Sequence, residues 1–159
     1  MLTTNPQRFV VTGLALALVI GGASSLVFAH GGAKGVVKER MDLMKDMADS
    51  MKVMGAMVKG ETAFDPGLVA EKAGFLADHA PMIPDMTPEG SNDHPSEALP
   101  IIWQAWDDYV ADADALAAEG AKLVEIATTG ADEAAMRTQY VKLGKTCGTC
   151  HDRFRKPKE

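Results

Sequence analysis

Apolar residues recur every third or fourth position along most of this chain, the spacing of amphipathic helices. No run alternates apolar with polar residues, so the main strand signal is missing. Four helical segments emerge. The first spans Ala33 to Lys59, with Val37, Met41, Met44, Met47, Met51, Met54 and Val58 in phase and Gly60 as its stop. The second spans Pro66 to His79. Asp65 can cap it, Pro66 suits its first position, and Leu68, Phe75 and Leu76 mark its inner face. Ala80 to Ala98 reads as loop, broken by Pro81, Pro84, Pro88, Gly90 and Pro95. The third helix spans Pro100 to Thr128, with Ile102, Trp106, Tyr109, Ala113, Leu116 and Val124 in phase. After Thr129-Gly130 the fourth spans Ala131 to Arg155, carrying the stripe Met136, Tyr140, Leu143, Cys147, Cys150 and Phe154. Four amphipathic helices and no strands predict an all-α four-helix bundle. Its two short connections predict antiparallel neighbours.

The N-terminus has a different pattern. Asn5-Pro6-Gln7-Arg8 is polar with one positive charge, Phe9 to Ile20 is almost wholly apolar, and Val27-Phe28-Ala29 fits a cleavage site. This is the layout of a secretory signal peptide over residues 1–29, leaving 30–159 as one domain. A retained anchor is the rival, since Phe9 to Phe28 is about long enough to span a bilayer. The net charge of −6 becomes −7 without Arg8, the only charged residue in the segment. No basic stripe is present, which argues against a nucleic-acid partner. The acidity instead suits a positively charged protein partner.

Both cysteines sit in Cys147-Gly148-Thr149-Cys150-His151, so no wider disulfide framework is available. C-x-x-C-H is the attachment string of a c-type haem. On a helix, Cys147, Cys150 and His151 share one face, so two thiols can add to two vinyl groups of a single haem with an imidazole under the iron. Gly148 and Thr149 are small enough to leave room for the porphyrin. A thioredoxin-type redox pair would need a strand leading into the motif. A zinc site would need four ligands, with His79 and His94 supplying what is missing. With a secretory signal, the haem motif points to the bacterial periplasm.

The motif closes a four-helix chain, and the whole domain resembles the class II c-type cytochromes, which include cytochrome c′ and its low-spin, methionine-ligated relatives. Gly144, the run Cys147 to His151, Asp152, Phe154 and Arg155 match the family's C-terminal string. Pro100, Trp103 and Tyr109 match its third helix, with Tyr for the usual Phe. Arg40, Met44 and Lys59-Gly60-Glu61 match its first helix. The resemblance implies an up-down-up-down bundle enclosing one covalent haem c. It also implies His151 as one iron ligand, Met44 on the opposite side of the iron, and Arg40 near a haem propionate.

Coordination by Met44 would give a His/Met site suited to electron transfer through low-spin iron, with a periplasmic redox partner protein. The first helix also carries six methionines at helical spacing, and methionine is a common core filler. If Met44 is only a wall, five-coordinate cytochrome c′ chemistry follows, with nitric oxide or carbon monoxide as ligand. Met41 and Met47 lie a turn away and read as core. Arg155, four residues after His151, falls near the proximal face, though bases also suit a last helical turn. His79 and His94 read as solvated. No Ser/His/Asp set or phosphate loop is present, so no hydrolase or transferase is expected. The chain is expected as a monomer or as a homodimer paired through the methionine and alanine face of the first helix.

Overall fold

Local capping chemistry sets most of the helix boundaries. The computed structural model describes residues 32–130 and 132–157, and the expected signal segment, residues 1–29, lies outside them. Helix α1 (Gly35–Val58) ends in a Schellman motif. Gly60 takes φ +75°, its N–H donates to the Met57 carbonyl at 3.0 Å, and the Glu61 N–H donates to the Ala56 carbonyl at 2.9 Å. Helix α2 (Pro66–His79) begins where the Asp65 carboxylate accepts from the Leu68 N–H at 3.1 Å. Its fully buried side chains are Val69, Ala73 and Leu76, while Leu68 and Phe75 are only half-buried.

The long α2–α4 connection contains a one-turn helix, α3 (Met82–Asp85), which buries Ile83. The expected single helix from Pro100 to Thr128 is divided. A 3₁₀ turn spans Pro100–Trp103, and α4 spans Trp106–Thr128. Between them Ala105 leaves helical geometry at φ −127°, ψ 46°. Two interactions favour the break, one from outside the helix and one local. The Trp103 indole is held from outside, its Nε1–H donating to the Thr87 carbonyl at 3.1 Å. Asp107 and Asp108 then favour a fresh N-terminus through the helix dipole. Helix α5 (Glu133–Phe154) is capped by Asp132, which accepts from the Ala135 N–H at 2.8 Å.

Helices α1, α2, α4 and α5 pack as an up-down-up-down bundle, and among the described residues no strand forms beyond one isolated bridge, Ala98–Arg155. Small residues bring α2 and α4 close: a Cβ on Gly120 would stand 3.1 Å from the Ala73 carbonyl oxygen and the Ala77 nitrogen. Gln139 ties α5 to α4, donating to the Glu119 carbonyl at 3.1 Å and to its carboxylate at 2.5 Å.

Helices α1 and α5 meet at one end only. There a Cβ on Gly55 would reach 2.8 Å from Tyr140 Oη, Tyr140 donates to the Met51 carbonyl at 3.1 Å, and Arg137 donates to the Met57 carbonyl at 3.3 Å. These contacts join the C-terminal half of α1 to the N-terminal half of α5. Toward the other end the two helices part, and a cavity opens between them.

Backbone atoms crowd Gly120, so its neighbours cannot move aside cheaply. Gly120→Ala should destabilise the bundle by about 1–2 kcal/mol, overpacking outweighing the helix propensity it gains. Urea unfolding of the purified protein checks this, and an unchanged or raised midpoint would show the α2–α4 contact to be slack.

Candidate functional site

The cavity at the splayed end measures about 850 Å³, within the roughly 300–1,000 Å³ typical of cofactor and ligand sites. Its α1 wall is Met41, Met44, Met47, Ala48 and Met51. Tyr109, Ala113 and Leu116 face in from α4, and Leu76 closes the base from α2. The α5 wall carries Gly144, Cys147, Cys150, His151 and Phe154, with Pro95 to Ala98 of the long connection at the rim. Tyr109 and Phe154 hold each other edge-on, ring centroids 5.2 Å apart, and the Tyr109 hydroxyl shares a hydrogen bond with Thr87 at 3.0 Å.

Helical spacing puts Cys147, Cys150 and His151 on the cavity side of α5, each half-buried, and both thiols are free. Burial pushes the Cys147 thiol above its usual value. It pushes Cys150 up to about 12, with the Asp112 carboxylate adding to the effect. A thioredoxin-type pair would also need a strand leading into the motif, whereas here both cysteines lie well inside α5. The zinc reading is not assembled either. His79 stacks on Phe75 at 4.2 Å with its Nδ1 2.9 Å from the Phe75 carbonyl, His94 is exposed, and neither lines the cavity. Among the described residues no three His, Cys, Asp or Glu side chains are grouped to hold a metal ion. What remains is an apolar chamber of cofactor size with two thiols and an imidazole on one wall, which suits a flat, apolar, covalently tethered group.

Met44 lies on the α1 wall, half-buried. Met47 is buried in the core, as read from sequence, and also reaches the cavity, while Met41, read as core too, is only half-buried and lines it. The α1 helix turns its methionines toward a chamber rather than only toward side chains, which is why several are half-exposed.

Arg40 is buried and also lines the cavity. Nη1 donates to the Met86 carbonyl and the Ser91 hydroxyl, both at 2.8 Å. Nη2 donates to the Ser91 carbonyl at 2.5 Å and the Ser96 hydroxyl at 3.0 Å. The four terminal N–H groups are thus engaged by the long connection, leaving Nε–H of the five donors. All four partners are neutral oxygens. Burial pulls the guanidinium below its ordinary value, although arginine stays charged in proteins. A buried cation at a cavity wall whose bonds go to neutral oxygens favours an anionic group in the chamber.

Arg155 also lines the cavity, and its Nε donates to Glu97 at 2.6 Å within an ion pair. Sequence spacing gave no hint of this partner, which lies in the proline-rich segment. On α4, Asp112 holds Arg153 at 2.5 Å, beside Cys150.

A helical bundle with a C-x-x-C-H face on a largely apolar chamber of cofactor size defines a c-type cytochrome of the one-haem, four-helix class. The family model described as cytochrome c′ matches residues 35–155, and the chain belongs to that family, whose members bind one covalent haem c. It is 37% identical over 60 residues to cytochrome c-554 of Cereibacter sphaeroides, a match covering 38% of each chain. The matched stretches span 38–52% of the length of six curated relatives. Among solved structures, cytochrome c′ from Rhodopseudomonas palustris is 29% identical, with a TM-score of 0.73, covering 80% of this chain and 100% of that one. A nitric oxide complex of the L16A mutant of cytochrome c prime from Alcaligenes xylosoxidans is 25% identical, with a TM-score of 0.69, covering 77% of this chain and 94% of that one. The matches place the chain among haem proteins of the electron-transfer or gas-binding kind and favour cytochrome c′ over the expected His/Met-ligated type.

Without a group in the chamber, α1 has few contacts toward α5 along half its length. The Cys147→Ala, Cys150→Ala variant should therefore lose cooperative thermal unfolding and resist purification, while wild type should keep its haem through acid-acetone extraction. A variant as stable as wild type would show that the chamber needs no filling. Arg40→Met should cost about 2–4 kcal/mol, because it strands buried oxygens of Ser91 and Ser96. Thermal melts and early proteolysis between residues 86 and 98 would report it.

Proposed function

We propose that this chain is a periplasmic cytochrome whose haem is attached through Cys147 and Cys150, with His151 as the iron ligand from α5, and that its distal side takes a diatomic gas. The α1 wall carries this reading. Met41, Met44, Met47, Ala48 and Met51 offer neither charge nor an N–H or O–H donor. Lys45, at the rim, is turned to Asp49 at 2.7 Å. Such a wall suits a small, weakly polar ligand and gives no group for acid–base turnover, so no enzymatic step is proposed.

Held by Cys147, Cys150 and His151, a ferrous haem would supply an open metal position able to take nitric oxide or carbon monoxide. The chain's own residues do the rest. Helix α5 fixes the imidazole on the same rigid turn as both thiols, so attachment and ligation are positioned together. The half-buried methionines exclude water from the opposite side. Arg40 would set a buried positive charge against a propionate of the group. Its contribution there is charge and Nε–H, because the long connection engages its terminal nitrogens. The net charge of −6 suits a cationic redox partner protein.

A second reading rests on the placement of Met44 on that same wall. A thioether bound to iron would make a His/Met site of raised potential, suited to electron transfer. One measurement separates the two. The reduced protein should show broad high-spin bands, bind carbon monoxide at once, and change little on Met44→Ala. Sharp low-spin bands, slow carbon monoxide binding and conversion to high spin by Met44→Ala would establish the second reading instead.

A further inference from the structure

Glu97 lies 58 residues before Arg155, with no motif linking them, yet the fold joins the two closely. The joint is made first by backbone. Leu99 N–H donates to the Phe154 carbonyl at 2.9 Å, Lys156 N–H donates to the Glu97 carbonyl at 2.8 Å, and Ala98 bridges Arg155. Lys156 Nζ adds a bond to the Ser96 carbonyl at 3.1 Å. From the opposite side Arg40 grips Ser91 and Ser96. The Ser96-Glu97 segment is therefore fixed at the cavity rim without help from the Glu97 carboxylate.

That leaves the carboxylate's purpose to be explained. Its side chain is 51% exposed and that of Arg155 33%, and ion pairs so exposed add little stability. Their location matters more. Arg155 leaves α5 one turn past His151, its N–H still bonded to the His151 carbonyl at 3.1 Å, and both residues line the cavity, as does Glu97. An unpaired guanidinium here would put a full positive charge on the side of the chamber that holds the imidazole. Glu97 cancels it.

We propose that Glu97 is a positioning residue for Arg155, holding its guanidinium in a neutral pair at the chamber wall and thereby setting the charge felt on the His151 side of the haem. The proposal rests on His151 as the iron ligand. Ferric haem carries one more positive charge than ferrous, so an uncompensated cation nearby favours the reduced form and an uncompensated anion the oxidised form.

The test is the midpoint potential of the purified holoprotein, wild type against four variants, at low ionic strength and neutral pH. Glu97→Gln, which frees the Arg155 charge, should shift the potential upward. Arg155→Gln, which frees the carboxylate, should shift it downward. The double variant should return close to wild type, and Arg155→Lys, which keeps the charge but not the fork, should move it least. The single-variant shifts should shrink as salt is raised, because the pair is partly exposed. Thermal melts should stay near wild type for Glu97→Gln, since backbone bonds hold the segment. Shifts of the same sign in both single variants, or none in any holoprotein with its haem attached, would overturn the role of Glu97 alone. A wild-type chain that carries no covalent haem would overturn the attachment reading and this proposal with it.

Discussion

The separation of α1 from α5 governs this molecule. The two helices are locked where Gly55 admits Tyr140, and they diverge from there. A bundle closed along its whole length would leave no chamber. One without the Gly55–Tyr140 contact would have no hinge point to set the width of the opening. A partly open chamber of about 850 Å³ leaves apolar side chains of α1, α4 and α5 in contact with water, and a group seated in it would bury that surface. Cofactor binding and folding are therefore one problem here.

The long connection between α2 and α4 solves the other half of that problem. Where α1 and α5 part, the loop segment Ser91 to Leu99 spans the gap, gripped by Arg40 on α1 and by the end of α5. Loops generally run over the surface and leave their backbone to water. This one has buried serines and a buried threonine, Thr87, and these satisfy the Arg40 guanidinium and the Tyr109 hydroxyl. Arg40, which the family resemblance assigns to the haem, and Arg155, which its spacing from His151 assigns to the proximal side, thus also serve the loop, and each has only part of its hydrogen-bonding capacity left for a ligand.

Electrostatics follow the same division. Apart from Arg40 and the exposed Lys45, the residues of α1 that line the cavity are uncharged and apolar. The α5 side is crowded with paired charges, Asp112 with Arg153 and Glu97 with Arg155, each tying α5 to a different neighbour. Pairing offsets both arginines near His151, and Arg153 is shared between Asp112 and Asp108. Arg40 stands apart, charged, buried and bonded to neutral oxygens, at the point where an acidic substituent of the cofactor would be most favoured.

Periodicity and a five-residue motif carried much of this from sequence alone. Period-3.6 spacing is a local property, so the four long helices, the cap at Asp65 and the stop at Gly60 were legible, while the Asp132 cap emerged only from the structure. The string from Cys147 to His151 was legible as one face of a helical turn, and the structure puts all three side chains at the cavity. The break at Ala105 was not, because no Gly or Pro marks it and its cause, the Trp103 indole bound to Thr87, lies 16 residues away in sequence. Met41 and Met47 as cavity wall were not, because an apolar stripe looks the same whether it faces side chains or a chamber. The partners of Arg40 and Arg155 were out of reach for the same reason. They come from a loop 46 to 58 residues distant, and only the folded chain decides which oxygens meet those guanidinium groups.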